Sequence, residues 1–247
     1  MKNKSLTSNP NFWLIPVSLI VAYIITMYIS SGGVSLGVVR IIEKYYDMEI
    51  SNFPSESLAI ISSLLNFITY VMIAVPFLLI AFQTLYSDYK AKKNDPEFNK
   101  RVLVFIGIFY LASIVAGTFA GLIYKEESTN QATISSIIKS SPASSILMIV
   151  TAVVFAPVIE ELVFRFSIFE LIKNKWAALA TSAIIFGAIH IISSDVKLLY
   201  RFALLLPYAA SGLVFGLAYE KGNRNIWLPI TIHSITNLVS VIFILLS

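Results

Sequence analysis

Seven apolar runs divide this 247-residue chain: Phe12–Ser30, Leu58–Tyr86, Val102–Tyr124, Ala143–Phe164, Trp176–Ile192, Leu198–Tyr219 and Ile226–Leu246. Most approach or exceed the roughly 20 residues that carry a helix across a bilayer. Backbone groups in hydrocarbon must find partners within the protein, so runs like these fold as helices. Charged residues make up 13% of the chain, against about 25% in soluble domains. The expected fold class is therefore all-α, a polytopic transmembrane bundle rather than a soluble enzyme with one anchor. The second run contains Asn66 and Pro76 and is long enough to kink, tilt or break. The fifth is short. Between the first two, "GVVRIIEKYYDMEI" reads as an interfacial helix.

The chain is basic, with a sequence pI near 9.1. In a polytopic chain this reads as the positive-inside rule rather than as a nucleic-acid partner. With the amino terminus in the cytoplasm, 12 of the 18 Lys and Arg fall on the cytoplasmic side. They include Lys2, Lys4 and the run "KAKKNDPEFNKR", in an expected basic loop near 88–101. No signal peptide with a small-residue cleavage site is evident, so the first run is expected to remain as a span. Trp13, Trp176 and Trp227 sit at run ends, where tryptophan anchors to the lipid interface. The chain divides into an amino-terminal transmembrane region, 1–142, and a carboxyl-terminal helical core, 143–247. Cysteine is absent, which removes disulfides, thiolate ligands and a cysteine nucleophile.

Against this background "EELVFR" stands out, because a carboxylate inside a membrane is expensive and marks a functional site by default. Side chains four apart share a helix face. Glu161 and Arg165 therefore have the spacing of an intrahelical ion pair, while Glu160 points about 100° away and is free to face a cavity. Pro157 removes a backbone donor one turn earlier and is expected to open the helix. The only two histidines, His190 and His233, also lie inside runs, in "FGAIH" with Phe186 and in "HSITN" with Asn237. A carboxylate beside histidines can act as a general base, with further donors for an oxyanion. Each motif alone is weak; together they use every histidine of the chain.

At these residues the sequence resembles the CPBP family, which comprises type II CAAX prenyl endopeptidases and bacterial bacteriocin-processing and immunity (Abi) proteins. Its pattern is EExxxR, FxxxH and HxxxN or HxxxD on successive membrane helices. Glu160–Arg165, Phe186–His190 and His233–Asn237 match it without departure. The resemblance covers the carboxyl-terminal half and implies an intramembrane peptidase built on a four-helix catalytic core. It implies that Glu160 and His190 activate water, that His233 and Asn237 stabilise the oxyanion, and that Glu161 and Arg165 support the site. The family is described both as metalloproteases and as metal-independent glutamate proteases. Glu160, His190 and His233 are also enough ligands for a zinc with an open position, so both routes stay open.

The zinc-protease motif HExxH is absent, and no aspartate sits in the core of a run. "AASG" at Ala209–Gly212 faintly resembles a serine-protease motif, but small residues here, with Gly212 and Gly216, are explained by close helix packing. Two other classes remain: a proton-coupled carrier using the same Glu and His set, and a non-catalytic interaction or immunity protein. The expected partners are the bilayer and a membrane-delivered peptide or protein substrate. The expected location is a bacterial plasma membrane.

Overall fold

The computed structural model describes residues 12–247, with only the backbone of Ser31 and Gly32; Lys2 and Lys4 lie outside the described residues. These residues form nine helices and no strand, so the fold class is the expected all-α bundle. Helix α1, Leu14–Tyr28, continues through a π-helical segment, Ile29–Val34, into α2, Ser35–Tyr46. Then come α3, Ser55–Lys93, α4, Phe98–Ile123, α5, Thr129–Ser140, and α6, Pro142–Leu171. The chain ends with α7, Lys175–Ile191, α8, Leu198–Lys221, and α9, Trp227–Leu246. Five of these (α3, α4, α6, α8 and α9) are long and apolar enough to span a membrane; α1 and α7 are shorter apolar helices of 15 and 17 residues.

The observed helices refine the expected spans at several points. The second run does not break: α3 is one helix of 39 residues passing through Pro76. Membrane helices tolerate proline where neighbours and local adjustments satisfy the freed carbonyl. The basic loop is mostly helix, since α3 runs out to Lys93 with Lys90, Lys92 and Lys93 in its last turn, where the helix dipole favours cations. The tight turn at 94–97 is held by Arg101, whose Nη2 donates to both oxygens of Asp95 at 2.6 Å. Glu170 belongs to the last turn of α6. Finally, α5 was not foreseen. It is capped by Ser128, whose Oγ accepts from Gln131 N.

Helix α6 is the central element. Half of its most apolar stretch is buried inside the bundle, against 11% for α4, which lies at the periphery. Small residues let α7 and α8 touch. A Cβ on Gly212 would lie 3.0 Å from Ala183 Cα, and one on Gly216 would lie 2.7 Å from Leu179 Cδ1. The other end of the bundle is tied by Asp88 of α3. Its carboxylate accepts from Ile226 N at 2.9 Å and its carbonyl from Asn225 Nδ2 at 2.7 Å. Trp227 joins this tie by donating Nε1–H to Leu85 O at 2.9 Å, while Trp13 and Trp176 are exposed on the bundle surface.

Candidate active site

The site is built on irregular helix. Two π-helical segments, Thr151–Phe155 and Leu162–Ser167, flank the α-helical turn that carries Glu160 and Glu161. The first follows from Pro157. Ala156 N–H goes back to Thr151 O, so Ala152 O loses its α-helical partner. The wider π spacing would offer it residue 157, which is proline and has no N–H. The carbonyl is satisfied instead from another helix: Asn237 Nδ2 of α9 donates to it at 2.8 Å. In the second segment a residue of the same helix contributes: Ser167 Oγ donates to Leu162 O at 2.8 Å. π segments are frequent at functional sites because they re-aim side chains.

The two glutamates part as their spacing predicts. Glu161 and Arg165 are fully buried. Arg165 Nη1 donates to Glu161 Oε1 at 3.0 Å and Nη2 to Gly212 O at 3.1 Å. The guanidinium also lies over Phe186 and Phe215, 4.5 and 5.2 Å from the ring centroids. These stacking contacts contribute where hydrogen bonds are missing. Glu161 Oε1 also accepts from His233 Nδ1 at 2.8 Å, so this carboxylate joins Arg165 of its own helix to His233 of α9.

Glu160 faces a cavity of about 300 Å³ that also borders His190, His233, Asn237 and Phe186. Its Oε1 accepts from Tyr70 OH at 3.3 Å. Its Oε2 lies 3.9 Å from His233 Nε2 and has no hydrogen-bond partner among the described residues. The ring chemistry of the histidines follows from their neighbours. His190 Nδ1 is 2.7 Å from Phe186 O. A carbonyl only accepts, so Nδ1 carries the proton and Nε2 of the neutral ring is left as the acceptor. His233 spends its Nδ1–H on Glu161, which aims Nε2 at Glu160. Each ring is clamped by an aromatic: His190 stacks on Tyr208 at 4.8 Å, and His233 on Phe215 at 4.6 Å.

The structure thus brings Glu160, His190, His233 and Asn237 to one cavity, with Glu161 and Arg165 behind it and Phe186 between the rings. No hydrogen bond joins Glu160 to His190 among the described residues. Nor do they contain a group of three metal-ligating side chains placed to hold a metal ion. Asn237 is half committed, with one amide N–H spent on Ala152. Sequence reasoning missed Tyr70, Tyr208 and Phe215. A signal existed for Tyr70, which lies four residues after Asn66; both line the cavity, forming a polar stripe on an apolar helix.

A family model described as "Type II CAAX prenyl endopeptidase Rce1-like" matches residues 142–239, the stretch that holds every site residue except Tyr70. A Mycoplasma capricolum protein is 32% identical over 202 residues, covering 75% of this chain and 57% of its own length. The Bacillus subtilis protein named "Putative membrane peptidase YdiL" is 28% identical over 188 residues, covering 73% of this chain and 70% of its own. The Lactococcus lactis "UPF0177 protein YvdC" is 30% identical over 208 residues, covering 79% and 75%. The chain therefore spans little more than half of the Mycoplasma protein and about three quarters of the Lactococcus one. No solved structure matches the chain.

Proposed function

The chain belongs to the CPBP family, and from that membership we propose that it is a membrane peptidase, an intramembrane endopeptidase that cuts a membrane-delivered peptide or protein. The observation that carries the reading is the meeting of Glu160, His190, His233 and Asn237, from three helices, at one cavity. A water held between Glu160 and His190 attacks the peptide carbonyl. Its proton passes to Glu160 Oε2, with His190 Nε2 as the second acceptor that orients the water. The proton then moves to the leaving nitrogen as the C–N bond breaks, giving a new carboxyl group and a new amine. The oxyanion formed in between is stabilised by His233 and by the second N–H of Asn237, with Glu161 holding the His233 ring in place. Arg165 holds Glu161 in place.

A carboxylate and two imidazoles are the right donors for zinc, but their present arrangement does not converge as a trio. On the proposed orientation, the turn at 94–97 is cytoplasmic. The cavity, which reaches from Glu160 toward α5 and the carboxyl-terminal turns of α9, then lies toward the outer side.

The test replaces Glu160 with Gln and, separately, His190 and His233 with Ala. Each variant is checked for accumulation in the membrane, and membrane and secreted peptides are compared with those from cells carrying the active protein. Loss of processed products in all three supports the reading; full function in all three overturns it. A carrier would lose ion-coupled uptake and cleave nothing, and an interaction protein would tolerate all three changes. Chelation that abolishes cleavage, restored by zinc, would favour the metal-assisted route.

A further inference from the structure

Helix α5 has a composition unlike the spans around it, "TNQATISSIIKS". Its far end is apolar: Ile137 and Ile138 are buried against Met148 and Val241. Its near end is polar, and Asn130, Gln131 and Thr133 line the same cavity as Glu160. The helix is fixed there as well. Ser128 Oγ is hydrogen-bonded to Tyr208 OH at 2.7 Å, and Thr129 N donates to Ser194 Oγ at 3.4 Å. Side-chain amides of Asn66 and Asn237 and the hydroxyl of Ser240 border the cavity from α3 and α9. Among the described residues no Lys, Arg or Asp lines it; the charged or readily protonated side chains there are Glu160, His190 and His233.

We propose that this polar wall is a binding site for an unwound, uncharged peptide segment, with Asn130, Gln131 and Thr133 of α5 hydrogen-bonding its backbone. The identity of the ligand rests on the peptidase reading. A peptide arriving through the bilayer is helical, because nothing else satisfies its backbone in hydrocarbon. Within a helix every carbonyl is already bonded along the axis and shielded by side chains, so the peptide bond that meets Glu160 must first be unwound. The segment that reaches Glu160 is therefore extended, and its freed N–H and C=O groups need partners. A carboxamide carries both donors and acceptors, so a wall of amides and hydroxyls serves both kinds of group without reading sequence. Among the described residues the cavity offers no Lys or Arg to an acidic substrate residue, and a basic one would pair with Glu160 and block it.

The experiment measures binding without turnover. Full-length Glu160→Gln protein in detergent is titrated with a short fluorescent peptide of alanine, leucine and serine. A second peptide is identical except for N-methyl groups on two adjacent central amides. Methylation is expected to weaken binding about tenfold, as two lost hydrogen bonds would. Adding Asn130→Leu and Gln131→Leu should weaken the parent peptide by a similar factor and remove most of the methylation penalty. Affinity and penalty both unchanged in this variant would overturn the proposal. If the variant fails to fold, the isosteric Thr133→Val decides: the parent peptide must bind measurably less well, and unchanged binding overturns the proposal. The two readings fail separately. Wild-type protein that binds in this pattern yet cleaves no peptide would sink the peptidase reading alone. Cleavage that persists while binding ignores every α5 change would sink this proposal alone.

Discussion

Replacing Pro157 and Asn237 together tests whether the π segment before Glu160 is an accommodation to a missing N–H. Asn237→Leu leaves Ala152 O without its donor, since Ala156 N–H is committed to Thr151. An orphaned buried carbonyl costs about 1–3 kcal/mol. The cavity admits water to this wall, so the lower part of that range applies, about 1–2 kcal/mol. For a chain of this size each kcal/mol shifts the melting midpoint by about 2–4 °C, so Asn237→Leu should lower it by roughly 2–8 °C. In a Pro157→Ala background, the substituted residue supplies a backbone N–H to the same carbonyl, and Asn237→Leu should then cost little. The assay is thermal unfolding of the four proteins in one detergent. A coupling of about 1 kcal/mol or more is expected. Additivity within about 0.5 kcal/mol would refute the reasoning. If the coupling is found, part of any activity lost in Asn237 variants reflects a displaced Glu160 rather than a missing oxyanion donor.

Three further outcomes follow from the same contacts. Arg165→Met leaves Glu161 buried beside His233 without its cation, and should destabilise by about 3–5 kcal/mol, read as loss of folded protein on size exclusion. Tyr70→Phe removes only the hydroxyl that holds Glu160 Oε1. It should shift stability by less than about 1 kcal/mol while lowering kcat, and an unchanged kcat would remove Tyr70 from the site. Gly212→Val would drive a side chain into the Ala183 backbone and should cost about 1–3 kcal/mol; a variant as thermally stable as the wild type would contradict the close α7–α8 contact.

The bundle and the division between the two glutamates were legible because both rest on simple periodicities. Apolar length marked the spans, and a spacing of four paired Glu161 with Arg165. Where the helix departs from that period, sequence reasoning failed. The π segment at Leu162–Ser167 shifts the phase of everything after it. Glu170 is thereby carried to within 4.0 Å of Arg224, with its side chain only 10% exposed, a contact that no spacing announces. Pro157 signalled an opening, but nothing local could say that Asn237, on a helix three spans further on, would fill it. The pairing of Glu160 with His190 came from resemblance, and the shorter approach is to His233. Helix α5 was invisible for another reason: its twelve residues have little apolar pattern, and short helices of that kind are held by tertiary packing rather than propensity.

The ion pair inside α6 also bears on how the protein is made. Arg165 ends up sandwiched between Phe186 and Phe215, but those rings belong to helices synthesised later. When α6 first enters the bilayer, its arginine has neither ring nor the carbonyl of Gly212. It has only Glu161, one turn away on the same segment. A nascent helix can therefore neutralise its costliest cation before any neighbour arrives, leaving only Glu160 and, at its very end, Glu170 outside that ion pair. Had the same pair been divided between two helices, each would have faced the membrane with a bare charge, and insertion would have had to wait for assembly.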